Sequence, residues 1–158
     1  MDISILQKIV GVGPMGAVIS LVLLTMAAWV DHVLGYPAIL VNPAPMKIIG
    51  GVLAIIGVGL FFWSVWVMRN WWANNELCIM GPFTWFRHPM YAAWITFILP
   101  AVALYVNSWI ILFFVILLHP IWHQLVIREE KMLFEIFQDE YRVYAARTGR
   151  FFPRIWTR

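Results

Sequence analysis

The sequence predicts an all-α fold, an integral membrane bundle of four transmembrane helices followed by a C-terminal cytoplasmic amphipathic helix. Composition is the first reason. The chain of 158 residues is 63% hydrophobic and only 12% charged, whereas soluble domains carry about 25% charged residues, so a bilayer is the solvent that suits it. The second is an uninterrupted run: between Arg87 and Arg128 there is no Asp, Glu, Lys or Arg. A run that long crosses a ~30 Å hydrocarbon core twice and returns its two polar edges to one membrane face.

Hydropathy places the spans at about 13–33, 47–68, 89–106 and 109–127, with a polar tail over 128–158, and the whole reads as a single membrane domain. In the first span Gly13, Gly16, Ala17 and Ser20 are small, and in the second so are Gly50, Ala54 and Gly57 at i, i+4 and i+7, a spacing that lets helix backbones approach closely. Pro43 and Pro45 mark the turn between these spans, and Asp31-His32 reads as an interfacial stop. Spans three and four meet at Asn107-Ser108, too short for anything but an antiparallel helical hairpin. Pro100 and Pro120 each remove a helical hydrogen bond and predict kinks.

Charge sets the expected topology. With an even number of spans both termini share a side, and that side holds Lys8, Arg69, Arg87, Arg128, Lys131, Arg142, Arg147, Arg150, Arg154 and Arg158, leaving Lys47 alone opposite. The positive-inside rule therefore predicts a multi-pass protein with both termini and both polar edges in the cytoplasm; the amino terminus does not show a basic start followed by a short apolar core and a small-residue cleavage site, so the first span reads as retained. In the tail Arg147, Arg150, Arg154 and Arg158 alternate with Phe151, Phe152 and Trp156, a pattern suited to anionic lipid headgroups rather than nucleic acid. A single cysteine, Cys78, excludes an intramolecular disulfide and a cysteine-built metal cluster.

From Arg128 the helix should continue to about Arg147. At ~100° per residue Leu133, Ile136, Phe137 and Tyr144 share one face, with Lys131, Glu135, Gln138 and Arg142 opposite. Glu129 and Glu140 fall on the apolar face, Glu130 at its margin, and Arg128 projects away. A carboxylate turned inward at the membrane edge is costly unless paired, which makes Glu129 a functional candidate. His88 is held at a helix start by Pro89, which suits a first helical position, and Tyr91 lies one turn beyond it. His119 and His123 at i and i+4 share a face; two ligands are too few for a metal site, and no metal is expected. They read as hydrogen-bonded intramembrane histidines lining a substrate cavity. Glu76 reads as a solvated loop charge within reach of the site.

Gly81-Pro82-Phe83 through Arg87-His88-Pro89-Met90-Tyr91, then Arg128-Glu129-Glu130, then Phe137-Gln138-Asp139-Glu140-Tyr141 and Pro153, resemble the carboxyl-terminal half of the isoprenylcysteine carboxyl methyltransferase and phospholipid N-methyltransferase superfamily. The resemblance spans roughly residues 75–155; the first half is similar only in being hydrophobic. It implies a membrane methyltransferase that takes S-adenosylmethionine between the last two spans and the tail. Gly81 and Pro82 would shape the cofactor loop, His88 and Tyr91 would line the site, Glu129 and Glu130 would bind polar groups of the cofactor, and Tyr141 and Arg147 would complete the wall. The acceptor implied is lipophilic, a small molecule or a lipid-modified one: an isoprenylcysteine-type carboxylate or a phospholipid amine. A carboxylate is already ionised, whereas an amine must lose a proton, with Glu129, Glu130 or His88 as the base. Membrane sterol reductases are similar in carrying an Arg-His-Pro motif, so an NADPH-dependent sterol or isoprenoid reductase is the alternative enzyme, disfavoured by the short chain. A non-catalytic four-helix membrane protein explains the composition but leaves Glu129 without a purpose.

Overall fold

The computed structural model describes residues 11–72 and 76–154, so Lys8, Trp156 and Arg158 of the charge pattern lie outside the described residues. Among those described, the elements are helical: α1 (Gly13–Val33), α2 (Ala44–Trp72), a 3-10 turn (Gly81–Thr84), α3 (Pro89–Tyr105) and α4 (Trp109–Arg147). Three helices, α1, α2 and α4, are long and apolar enough to cross a membrane, and α3 is a shorter apolar helix. The third span expected, about 89–106, is this shorter α3, which is bounded tightly by Pro89 and by Asn107, whose φ of 58° ends the turn. The outward faces carry exposed Val18, Leu21, Trp29, Ile55 and Phe62, an arrangement suited to lipid rather than water.

Close approach holds the pairs together. On α1, a side chain at Gly16 would overlap the Trp122 ring of α4, and Trp122 Nε1 donates to Ser20 Oγ at 3.0 Å. On α2, a Cβ at Gly50 would lie 2.8 Å from Ala101 O, and one at Gly57 2.8 Å from Ile98 Cγ1 of α3. Thus Gly50 and Gly57 are where α2 closes on the α3 backbone and Gly16 is where α1 admits a ring of α4, whereas Ala17 is exposed.

Of the two prolines expected to kink the spans, Pro100 follows a π-helical turn over Ala93–Ile98, whose wider winding accommodates the missing N–H. α4 keeps helical angles through Pro120, because a proline's own φ is helical; its break falls at Gln138, with φ 45° and ψ −117°. That break also corrects the placement of Glu140, which is exposed rather than turned to the apolar face, since a helical wheel cannot be continued across a positive φ.

At the end away from His88, Asn107 Nδ2 donates to Leu40 O at 2.7 Å and Leu40 N–H returns to Asn107 Oδ1 at 3.1 Å. Ser108 caps α4, its Oγ accepting from Ile111 N–H at 3.1 Å while donating to Asp31 Oδ1 at 2.5 Å. Asp31, near the end of α1, is therefore a buried tie between α1 and the α3–α4 turn. Substituting Gly16→Val should lower stability by about 1–3 kcal/mol through overpacking against Trp122; thermal unfolding in detergent checks this.

Candidate active site

Gly81 opens the loop with φ 57°, and its absent side chain leaves room for Val67 Cγ2, which would lie 3.0 Å from a Cβ. Pro82 is buried behind it, and Phe83 faces inward. The chain then runs to His88 beside the C-terminal segment: Gly149 N–H donates to Trp85 O at 3.2 Å, Arg87 N–H to Gly149 O at 2.7 Å, and His88 N–H to Arg150 O at 3.3 Å. A side chain at Gly149 would overlap the Phe152 carbonyl, so only glycine fits this turn. Tyr144 OH donates to Phe83 O at 2.8 Å and Arg87 Nη1 to Ala145 O at 2.9 Å, fastening the loop to α4.

Two glutamates adjacent on α4 receive different partners. Glu129 Oε2 accepts from Tyr91 OH at 3.0 Å and from Val12 N–H, at the start of α1, at 3.2 Å. Its Oε1 lies 3.6 Å from His88 Nδ1. Glu130 takes a two-pronged contact from Arg150, Nε to Oε1 at 2.9 Å and Nη2 to Oε2 at 2.6 Å. Arg87 Nε stands 3.0 Å from Glu130 Oε1, a charge contact without hydrogen-bond alignment, and His88 Nε2 is 3.5 Å away. His88 lies almost parallel to the Tyr91 ring, centroids 5.5 Å apart and planes 5° from each other, and Tyr91 in turn meets Trp122 at 4.9 Å.

The electrostatics follow from this placement. Burial opposes a charge on His88, but Glu129 and Glu130 on either side outweigh it and raise the imidazole above its ordinary range. Burial likewise opposes the Glu129 charge, yet His88, Val12 N–H and Tyr91 hold its carboxyl below the ordinary value. Glu130, also working against burial, is brought down to about 2 by His88, Arg150 and Arg87.

Beside this ionic cluster lies a cavity of about 500 Å³, within the ~300–1,000 Å³ range of small-molecule sites. Arg87, His88, Tyr91, Glu129 and Tyr141 give its polar wall; Met68, Trp71, Phe83, Met132, Leu133, Ile136, Phe137 and Tyr144 give the apolar one. The apolar face read on the continuing helix is therefore the cavity wall, and Lys131, Glu135, Gln138 and Arg142 are exposed on the other side. Tyr141 is buried, and its hydroxyl has no hydrogen-bond partner among the described residues, an orphan that a polar ligand group would satisfy.

Of the residues the sequence nominated, His88, Tyr91, Glu129 and Tyr141 line the cavity. Glu130 faces a shallower groove with Arg150 and Lys131. Gly81 and Pro82 stand behind Phe83, and Arg147 is exposed away from the cavity. Neither His119 nor His123 lines it: His119 stacks on Phe152 with centroids 5.7 Å apart, and His123 is bonded to Arg150 Nη1. Glu76, though exposed, lines the cavity, as do Gly11 and Cys78. The tail is not wholly a lipid-facing surface, because Arg150 turns to Glu130 and Phe151 is buried, leaving Arg147, Phe152 and Arg154 outside. Arg150 went unrecognised because its signal, one arginine among several, matches a membrane-docking tail equally well.

A family model described as isoprenylcysteine carboxyl methyltransferase (ICMT) family matches residues 45–135. The chain belongs to this family. The ICMT match begins within α2, earlier than the motif-bearing half read from the sequence, and includes His88, Tyr91, Glu129 and Glu130. No curated protein matches the chain. Membership makes this an integral membrane methyltransferase, in accord with its helices of membrane-spanning length.

The ionic cluster should make stability depend on pH from both sides. Glu130, depressed in the fold, contributes stability above its ordinary 4.5 that is lost as the pH falls toward about 2. His88, raised, contributes stability below its ordinary 6.5 that is lost as the pH rises through its folded value. Thermal midpoints across this range should peak between those limits, and Glu130→Gln should flatten the acid limb. An unchanged acid limb in that variant would place the titrating group elsewhere.

Proposed function

We propose that this ICMT-family protein transfers a methyl group from S-adenosylmethionine to a lipophilic acceptor at the cytoplasmic edge of the membrane, with α3 as a fourth crossing, both termini cytoplasmic and the polar part of α4 extending out of the bilayer. The observation that carries the reading is Glu129: an ionised carboxylate on the wall of a largely apolar, aromatic cavity, inside the stretch that matches the family.

The residues fit the cofactor. When bound, S-adenosylmethionine supplies an electrophilic methyl group on a sulfonium cation. Glu129 gives a cationic ligand its counter-charge, and the aromatic rings of Phe83 and Tyr144 on the wall are available for cation–π attraction. The orphan Tyr141 hydroxyl and the Arg87 guanidinium offer donors to the ligand's oxygens. Apolar side chains around them exclude water, and three of these, Met68, Met90 and Met132, adapt to an irregular hydrocarbon. Holding donor and acceptor in line accounts for much of the acceleration such a transfer needs.

Neither His88 nor Glu129 is suited to act as a general base. Both ring nitrogens of His88 are turned to carboxylates, Nδ1 to Glu129 and Nε2 to Glu130, and the contacts that Glu129 receives from His88, Tyr91 and Val12 N–H hold its carboxyl below the ordinary value and reduce its basicity. This favours an acceptor that arrives ionised, an isoprenylcysteine-type carboxylate over a phospholipid amine, with Arg87 as its cationic partner. His88 then serves to hold Tyr91 and Glu129 in place.

Equilibrium binding to the detergent-purified protein tests the reading. S-Adenosylmethionine and S-adenosylhomocysteine should bind and NADPH should not, and Glu129→Gln should weaken S-adenosylmethionine by about tenfold, ~1.4 kcal/mol, while preserving helicity. Preference for NADPH would support a reductase instead. With radiolabelled cofactor, prenylcysteine carboxylates should accept methyl and phospholipid amines should not.

A further inference from the structure

Arg150 does not line the main cavity, yet it reaches the cavity wall by two routes. Its carbonyl accepts the His88 N–H at 3.3 Å, and its guanidinium grips both oxygens of Glu130 at 2.9 and 2.6 Å. A planar fork on a carboxylate fixes direction as well as distance, which a point charge does not. Glu130 so held presents Oε1 to Arg87 at 3.0 Å and to His88 Nε2 at 3.5 Å. His88 is stacked on Tyr91, and Tyr91 donates to Glu129. The order of contact is Arg150, Glu130, His88, Tyr91, Glu129, and its last three members line the cavity.

We infer that Arg150 is a positioning residue of the methyl-transfer site: its guanidinium holds Glu130 aside, so that Glu129 alone of the pair faces the ligand and His88 keeps Tyr91 in register. The inference rests on the reading of the cavity as an adenosyl site. The docking of the tail itself does not need this side chain. Gly149 and the Arg150 backbone pair with the loop through main-chain atoms, and Phe151 is buried in the core. Shortening or neutralising Arg150 therefore removes the fork while the segment retains its other anchors. What remains is a half-buried Glu130 with too little positive charge around it, which draws Arg87 and His88 out of position.

S-Adenosylhomocysteine binding to the full-length, detergent-purified protein tests this, using wild type, Arg150→Met, Arg150→Lys, Glu130→Gln and the Arg150→Met/Glu130→Gln double variant, with thermal midpoints measured alongside. Arg150→Met should weaken binding about tenfold or more, and Arg150→Lys, restoring charge without the fork, should fall between it and wild type. The double variant should recover to within about threefold of wild type, because the uncompensated carboxylate is then gone. Binding by Arg150→Met should also improve as the pH is lowered and Glu130 takes up a proton. A merely structural role would shift the midpoint without that recovery or pH dependence. Wild-type affinity in Arg150→Met, or a double variant no better than the single, would overturn the inference while leaving the adenosyl site standing. Failure of wild type itself to bind would instead overturn the reading on which it rests.

Discussion

Two adjacent carboxylates midway along α4, just past its bilayer-length apolar stretch, are the constraint around which the chain is arranged. Desolvating an unpaired carboxylate costs several kcal/mol, so Glu129 and Glu130 are tolerable only where donors and cations converge on them. The partners arrive from distant parts of the chain: Val12 from the start of α1, Arg87, His88 and Tyr91 from the loop and α3, Arg150 from the segment after α4. Remote pieces of sequence are thus pulled to one end of the bundle by the same electrostatic requirement. The division of partners between the two residues matters most. Glu130 is gripped by Arg150 and neighboured by Arg87, whereas Glu129 keeps a face on the cavity.

The helices below supply rigidity without water. Lipid is as apolar as a leucine side chain, so their association relies on close packing and a few hydrogen bonds rather than on hydrophobic burial. Gly16 beneath Trp122, Gly50 and Gly57 against α3, and the Ser20–Trp122 and Asp31–Ser108 bonds are of this kind. Trp122 connects the two levels. It packs on α1, bonds Ser20 and touches the Tyr91 ring, so the wall of the cavity rests on the α1–α4 contact.

In the cavity these features meet the chemistry of the ICMT family. A polar wall bearing the Glu129 carboxylate faces an apolar wall rich in methionine and aromatic rings. On the polar wall the ring nitrogens of His88 face the two carboxylates, and Glu129 accepts from Tyr91 and Val12 N–H.

Much of this was legible in residues 81–91 and 128–130, because local rules suffice there: an uncharged run between polar edges predicts a hairpin, Pro89 predicts a helix start, and periodicity puts Leu133, Ile136, Phe137 and Tyr144 on one face. The helix boundaries near Gly13, Val33 and Trp109 follow from the same short-range logic. Arg150, Asp31, His119 and Glu140 were not legible in this way. Which arginine of a basic tail turns inward depends on a backbone ladder between Gly149 and Arg87, distant in the chain. Asp31 is buried because Ser108 happens to meet it, and Glu140 is exposed because Gln138 reverses its φ. Helical periodicity and membrane length are properties of adjacent residues and can be read in order; the pairing of a charge is a property of whatever the fold brings beside it, so only the tertiary structure decides it.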